Sequence, residues 1–363
     1  MTAIVTDQFR IKNAKDFLAT VSSNSLYLTL GGVTAWPDDL SPPAPTSAYK
    51  EDAYDFWDDV YAAKRITTSD ASHVIPRNNW VSGDNTYVAY NPNDALLNTK
   101  KFHTTVDDNG TIKIYKLIVK GAGATTVKPT HTSANIPAVG ADGYSWKYMY
   151  TVPADRFLKL ATNTHIPIAN ISSNVAANSL GVTPAPVGGH GYDNITELGA
   201  YSIAINGRFS YDEAGLISVK NDFREVGIIQ NPLQFNGVAG VASTGNPVSG
   251  TVATASTLNL ATVINLSSVS GTFQSDETIS TATGTARVVG HDIVSSKLHV
   301  QLLTGTISNG QAITAPSGAT ATVGSIVAPG ATKYSGSTIY LEYRRPVSRS
   351  GDQIESITTV IEF

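Results

Sequence analysis

Residues 270–280 read SGTFQSDETIS, and TGTISNGQAIT follows at 304–314, an offset of 34. The same offset aligns Gly284 with Gly318, Val289 with Val323 and Gly290 with Gly324. Strand-like runs, TVINLSSV and KLHVQLL, precede the two copies. Thr, Val and Gly in alternation oppose helix, so the period is not that of a helical repeat. Two copies are too few for a solenoid, and the duplicated segment reads as a small β-barrel or sandwich. Residues 236–330 contain no Trp or Tyr, one Phe (Phe273) and five charged residues: Asp276, Glu277, Arg287, Asp292 and Lys297. Aromatic-bearing chain lies on both sides. Residues 236–330 are therefore expected to form an inserted Ser/Thr/Gly/Val-rich β domain, carried by a discontinuous body of 1–235 with 331–363.

A chain of 363 residues is long enough for two domains and a full core without staples. It has no cysteine, which excludes disulfides, thiol chemistry and Cys-ligated zinc. A net charge of −4 gives no general attraction to nucleic acid or to an anionic membrane. Charged residues are 15% of the chain, against a usual figure of about 25%. Such a low-charge surface suits a protein largely covered by neighbours. The opening MTAIVTDQFRIKNAKDF lacks an apolar h-region, so no signal peptide is expected. No apolar run approaches the roughly 18 residues of a membrane span, so no membrane insertion is expected.

Along the chain, TAIVTDQF at 2–9 reads as a strand. A short helix follows, with Ala14, Phe17, Leu18 and Val21 on one face. SLYLTLGG is a strand with a glycine stop, and the proline-rich 36–50 is a loop. Residues 51–66, EDAYDFWDDVYAAKRI, read as a helix with acids in its first turn, Lys64 and Arg65 in its last, and Tyr54, Trp57, Val60 and Tyr61 on its apolar face. Beyond that the chain reads as β: TYVAY, KFHTTVDD, GTIKIYKLIVKG, YSWKYMYTV, AYSIAINGRF, GLISVKN, REVGIIQNPL and two final strands around a loop. ADRFLKLAT carries one or two helical turns. Asn109-Gly110 favours a type I′ hairpin. The fold class is thus mainly β with a few helices: a layered β-sandwich body with helix-bearing loops, plus the inserted duplicated barrel or sandwich.

Little in the sequence points to chemistry. The histidines, His73, His103, His131, His165, His190, His291 and His299, form no HxH, HxxxH or HExxH pair. GGHGYDN at 188–194 reads as a loop. Nucleotide cradles and the GxSxG elbow are absent. No catalytic, metal-binding or cofactor-binding residue and no small-molecule substrate is expected. Asp55, Asp58 and Asp59 cluster, with Asp55 and Asp59 four apart on one helix face. They read as a solvated face, and an acid/base pair for glycan hydrolysis is the alternative.

The stretch DGYSWKYMYTVP at 142–153 places Tyr144, Trp146, Tyr148 and Tyr150 at alternate positions, hence on one side of a strand. Nucleobase stacking needs interleaved Lys and Arg, and only Lys147 is present, so no nucleic-acid partner is expected. This stretch resembles a signature of the baseplate wedge subunits, gene product eight type, of T-even-like contractile-tailed bacteriophages. AIVTDQFR (3–10), VIPRNNW (74–80), IYKLIVKGAGATTVKPT (114–130), REVGIIQNPL (224–233) and SGSTIYLEYRRPVSRSGDQIESITTVIEF (335–363) resemble further blocks of that family, in the same order.

The resemblance implies a non-catalytic structural subunit of the virion, located in the tail baseplate and assembled in the host cytoplasm. It implies a homodimer in contact with other baseplate wedge proteins. The aromatic stripe is then a layer contact, or in part an interface. Arg and Trp often anchor interfaces, which makes Arg77, Trp80, Arg344, Arg345 and Arg349 interface candidates. Between Pro232 and Ser335 the chain departs from the family pattern. Segment 236–330 is expected to be a projecting module that meets a neighbour, or else a spacer. A glycan-binding adhesin built on it is a further alternative.

Overall fold

The computed structural model describes residues 5–46, 49–94, 96–132, 138–169, 194–210, 222–243, 245, 247, 249–348 and 354–363. In chain order the first elements are α1 (Asp7–Ser23), β1 (Leu26–Gly31), α2 (Tyr49–Asp59), β2 (Ala62–Ile66) and β3 (Ala71–Pro76). Next come β4 (His103–Asp108), β5 (Thr111–Val119), β6 (Ser145–Thr151), α3 (Ala154–Leu160), β7 (His165–Pro167) and α4 (Asn194–Glu197). Then follow β8 (Ser202–Phe209), β9 (Asp222–Gln230), β10 (Thr257–Asn259), β11 (Thr262–Ser270), β12 (Thr278–Ser280) and β13 (Gly284–Asp292). The last are β14 (Lys297–Gly305), β15 (Ala312–Thr314), β16 (Thr320–Val327), β17 (Ser337–Ser348) and β18 (Glu355–Glu362). The fold is mainly β, as expected. It divides into two compact units, Met1–Thr20 with Thr68–Asn206 and Thr358–Phe363, and Val21–Thr67 with Gly207–Ile357.

The first unit holds a four-stranded sheet, β18-β8-β3-β7, and a three-stranded sheet, β4-β5-β6. Ile75 of β3 and Ile166 of β7 share one buried cluster with Ile114 of β5 and Met149 and Tyr150 of β6. Apolar side chains from the two sheets thus form the filling of a layered sandwich. The β4–β5 hairpin turns at Asn109 (φ 53°) and Gly110 (φ 83°), the two positive values a type I′ turn needs.

The second unit holds an antiparallel sheet, β10-β2-β1-β9-β17, and a closed barrel of β11–β16. Helix α2 buries Phe56, Trp57 and Val60 in a cluster with Tyr27 of β1, Ala63 of β2 and Ile229 of β9.

Four expectations need correction. The expected opening strand is helical from Asp7, because Thr6 accepts from the backbone N–H of Phe9 and Arg10 and its hydroxyl also accepts from Phe9 N–H. The helix expected over 51–66 stops at Asp59, and Lys64 and Arg65 belong to β2. Ala-Ala-Lys-Arg is helix-favouring, but pairing of Ala62–Ile66 with Leu26–Leu30 overrides that preference. Trp57, Val60 and Tyr61 are buried as expected, but Tyr54 is exposed and Phe56 takes its place in the core. TYVAY, 86–90, is irregular chain, held by Val88 N–H to Lys101 C=O and Tyr90 N–H to Leu117 C=O. GLISVKN lies outside the described residues.

The duplicated segment is a barrel, and its strand order explains why two copies suffice. Around the ring the order is β11-β14-β13-β12-β15-β16, closed by β11 with β16. The copies are β11-β12-β13 and β14-β15-β16. The first strand of each copy pairs with the third strand of the other, so neither copy closes alone. Ile264 faces Leu298 and Ser280 faces Thr314, each pair 34 residues apart, as expected for a twofold axis through the ring. Buried pairs at the same offset, Ile264 and Leu298, Phe273 and Ile307, Ile279 and Ile313, fill the core. Two clasps also obey this symmetry. Ser317 N–H donates to Glu277 Oε2 at 3.0 Å, and Gln311 Nε2 donates to Thr283 Oγ1 at 2.7 Å.

Gly305 sits at φ +66°, where a Cβ would lie 2.0 Å from the Thr283 carbonyl oxygen. Gly305→Ala is expected to cost about 3 kcal/mol or more. Gly83→Ala, at φ +91° with nothing within 4 Å, is expected to cost about 1 kcal/mol. Thermal unfolding of both variants checks this, and equal costs would mean that the close crossing at Gly305 does not matter.

Candidate functional site

The aromatic stripe is core. Tyr144, Trp146, Tyr148 and Tyr150 are 2, 4, 7 and 1% exposed, so they offer no platform to a sugar or a base. The four do not share one face. On β5, Ile114 faces Tyr150 and Tyr115 faces Tyr148, which leaves Met149 without a partner. This bulge breaks the alternation. Tyr150 joins the filling of the sandwich and donates to the Pro167 carbonyl at 3.3 Å. Tyr144, Trp146 and Tyr148 cluster instead with Tyr87, Val106, Tyr115 and Leu117. Trp146 stands edge-on to Tyr87 at 4.9 Å. Tyr144 donates to the Gly123 carbonyl at 2.8 Å and Tyr115 to that of His131 at 2.7 Å, which ties loop backbone over the cluster.

The interface candidates divide by how far they are engaged within the chain. Arg77 Nε donates to Asn79 Oδ1 at 3.0 Å, and its guanidinium lies 5.5 Å from the centre of the Phe157 ring. Trp80 packs on the Tyr144–Tyr148 cluster, and its backbone N–H donates to the Thr105 carbonyl at 2.8 Å. Arg344 pairs with Glu342 at 2.6 Å. Arg345 is exposed and donates from Nε to the Leu40 carbonyl at 2.9 Å. Arg349 lies outside the described residues. Arg77 and Trp80 stand in the first unit and Arg344 and Arg345 in the second.

The acidic run of α2 is a joint. Arg287 of β13 pairs with Asp59 and donates to the Asp58 carbonyl at 2.9 Å and to Thr34 Oγ1 at 2.8 Å. Thr34 in turn donates to Asp276 Oδ1 at 2.7 Å, and Gln301 Nε2 donates to the Val60 carbonyl. The barrel is thereby pinned to the end of α2. Asp58 pairs with Lys333 at 2.6 Å. Asp55 stays exposed. Burial raises the Asp59 pKa against the opposing pull of Arg287.

Two buried charge sites carry no signal in the sequence patterns above. Glu225 of β9 is 3% exposed. Burial, and then the negative charge of Asp59, push its pKa up to about 9, so it is neutral at pH 7. Its placement inside the apolar run REVGII was the only available hint. Glu197 of α4 is buried against Lys116 of β5 at 2.5 Å, with Lys147 of β6 at 3.8 Å. Burial lowers the Lys116 pKa, and its Nζ lies 3.9 Å from the centre of the Tyr90 ring. Lys147, excluded above as a nucleic-acid contact, serves this site instead. His103 and His299 are buried and held neutral, with pKa values pushed down to about 4 by burial. Among the described residues no group of three His, Asp or Glu side chains is placed to hold a metal ion, and no helix is long and apolar enough to cross a membrane.

No protein-family profile matches the chain. It is similar to the baseplate wedge protein gp8 of Enterobacteria phage T4, 25% identical over 204 residues, which cover 46% of this chain and 60% of that protein. The chain thus spans less than two thirds of the length of this relative.

Glu225 binds a proton in the folded state that it releases on unfolding between its ordinary pKa of 4.5 and about 9. Its contribution is complete at low pH and is lost as pH rises through that window, at up to about 1.4 kcal/mol per pH unit. Glu225→Gln is expected to flatten the fall in stability between pH 5 and 9 in denaturant titrations, and an unchanged slope would contradict the neutral assignment. Glu197→Gln leaves two lysines without their counter-charge, and a loss of about 3 kcal/mol is expected. The same titration at pH 7 measures it.

Proposed function

We propose that this chain is a structural subunit of a contractile phage tail baseplate wedge, one that dimerises and joins neighbouring wedge proteins as the baseplate assembles in the host cytoplasm. The relationship with the T4 wedge protein carries the reading. The side chains are consistent with it. Of the three acids that suggested hydrolysis, Asp59 is spent on Arg287 and Asp58 on Lys333, which leaves Asp55 exposed without either of them free beside it as the second carboxylate. The aromatics most able to suggest a binding platform are buried.

In this reading 1–235 with 331–363 is the wedge body and 236–330 a peripheral β module added to it. The module meets a neighbouring baseplate protein. Arg345, the exposed member among the described candidates, is the first residue to place in a contact with another subunit. Arg77, Trp80 and Arg344 contribute by holding backbone in shape beside such contacts.

Quantitative mass spectrometry of purified baseplates, against a component of known sixfold copy number, tests the proposal. Two copies per wedge are expected. Absence from the baseplate would overturn it.

A further inference from the structure

Strand β17 is an edge of the five-stranded sheet. β9 pairs with one side of it, from Ser337 opposite Gln230 to Ser348 opposite Asp222. The other side differs along its length. Towards its C-terminal end a loop covers it. The Arg344 carbonyl accepts from Trp36 Nε1 at 3.0 Å, and the Trp36 ring lies 5.0 Å from that of Tyr343. Arg224, on β9, holds the same loop through two bonds of 2.8 Å to the Asp39 carboxylate. Between Thr338 and Glu342 the loop stands off from the strand, with Pro45 and Thr46 across a gap from it. Among the described residues no hydrogen bond reaches the outward backbone groups of this stretch. A groove of about 260 Å³ runs there instead, with Thr338 to Leu341 on one wall and Pro45, Asp52 and Ala53 on the other.

We propose that this groove takes up an extended, Lys- or Arg-bearing segment of another protein as an added β-strand. An edge strand directs a row of free N–H and C=O groups sideways, and a single extended chain is the partner that satisfies them. The far wall is formed by Pro45 and Thr46 of the loop and by Asp52 and Ala53 of α2. Ile339, 41% exposed at a bulge in the β9–β17 pairing, offers an apolar contact to one side of that strand. Charge selects its composition. Asp52 lines the groove, and Glu51 and Asp55 stand nearby on the same helix. The cations around them are few. Lys50 is exposed on α2, Lys333 is taken by Asp58, and Arg344 by Glu342. The inference goes beyond the baseplate reading and does not depend on it, because it concerns strand addition by any protein of this chemistry.

Hydrogen exchange of the full chain, read by mass spectrometry, tests it. The probes are an acetylated octapeptide alternating Val with Lys and its Val–Glu counterpart. The Val–Lys peptide is expected to slow exchange across 338–342 by about tenfold or more, leaving the barrel amides unchanged. The Val–Glu peptide is expected to give no protection. Ala53→Trp, which fills the groove, is expected to abolish the effect. Asp52→Lys, a change at a surface position, is expected to weaken it and provides the test should Ala53→Trp fail to fold. No protection by the Val–Lys peptide, or full protection in the variant that folds, would overturn the proposal. Equal protection by both peptides would overturn the charge assignment. Protection that rises with protein concentration in the absence of peptide would make a second copy the occupant, and would also overturn it. None of these outcomes bears on copy number in baseplates, so this proposal and the baseplate reading fail separately.

Discussion

Every buried backbone N–H and C=O must find a partner, and in a chain this rich in β the consequences reach most of the structure. In the duplicated segment the demand cannot be met by one copy. The first strand of each copy finds its missing partner in the third strand of the other, and the ring closes with no edge left. In the three-stranded sheet the outer side of β4 is covered by the chain at 78–80, where Thr105 donates to Asn78 and accepts from Trp80. VIPRNNW, noticed in sequence for its Arg and Trp, thus has a structural task as an edge cover. β17 is one edge where, among the described residues, no chain bonds to the outward groups of 338–342.

Charge is scarce here and is spent at joints. Arg287 is one of only five charged residues in 236–330, and it is the one that pins the barrel to α2. Arg224 binds the Asp39 carboxylate in a two-bond fork and a nearby carbonyl as well, holding a long loop against β9. Lys116, Lys147 and Glu197 join a short helix to a sheet in a buried site. A buried charge group of this kind adds little net stability over an apolar replacement, but each member becomes costly to remove. Glu225 escapes the same difficulty by keeping its proton.

A protein with a structural role needs its conspicuous residues for shape, and their use here agrees with that. The stripe on β6 looks like a recognition surface only while the strand is imagined flat and isolated. A one-residue bulge sends Tyr150 into the sandwich, and loops close over the other three. Alternation is a reliable guide to facing only within an unbroken ladder. The acids of α2 read as a solvated face, but Asp58 and Asp59 stand in ion pairs. Their spacing was legible, but the arginine they meet is more than two hundred residues away.

What the sequence determined by itself was local or repetitive. The 34-residue offset pointed to a duplicated β unit, Asn109-Gly110 specified the β4–β5 hairpin turn, and alternation marked most of the strands, because each of these depends on neighbouring residues or on a pattern repeated in full. Tertiary structure decided what depends on a distant partner. It chose barrel over sandwich, turned Ala62–Ile66 from helix into strand by offering β1 as a neighbour, and put Glu225 and Glu197 into buried charge sites. The physical reason is the same in each case. Hydrogen-bond pairing and desolvation act between segments far apart in the chain, and their energies exceed the few tenths of a kcal/mol by which ordinary residues differ in local preference, about 0.7 at most.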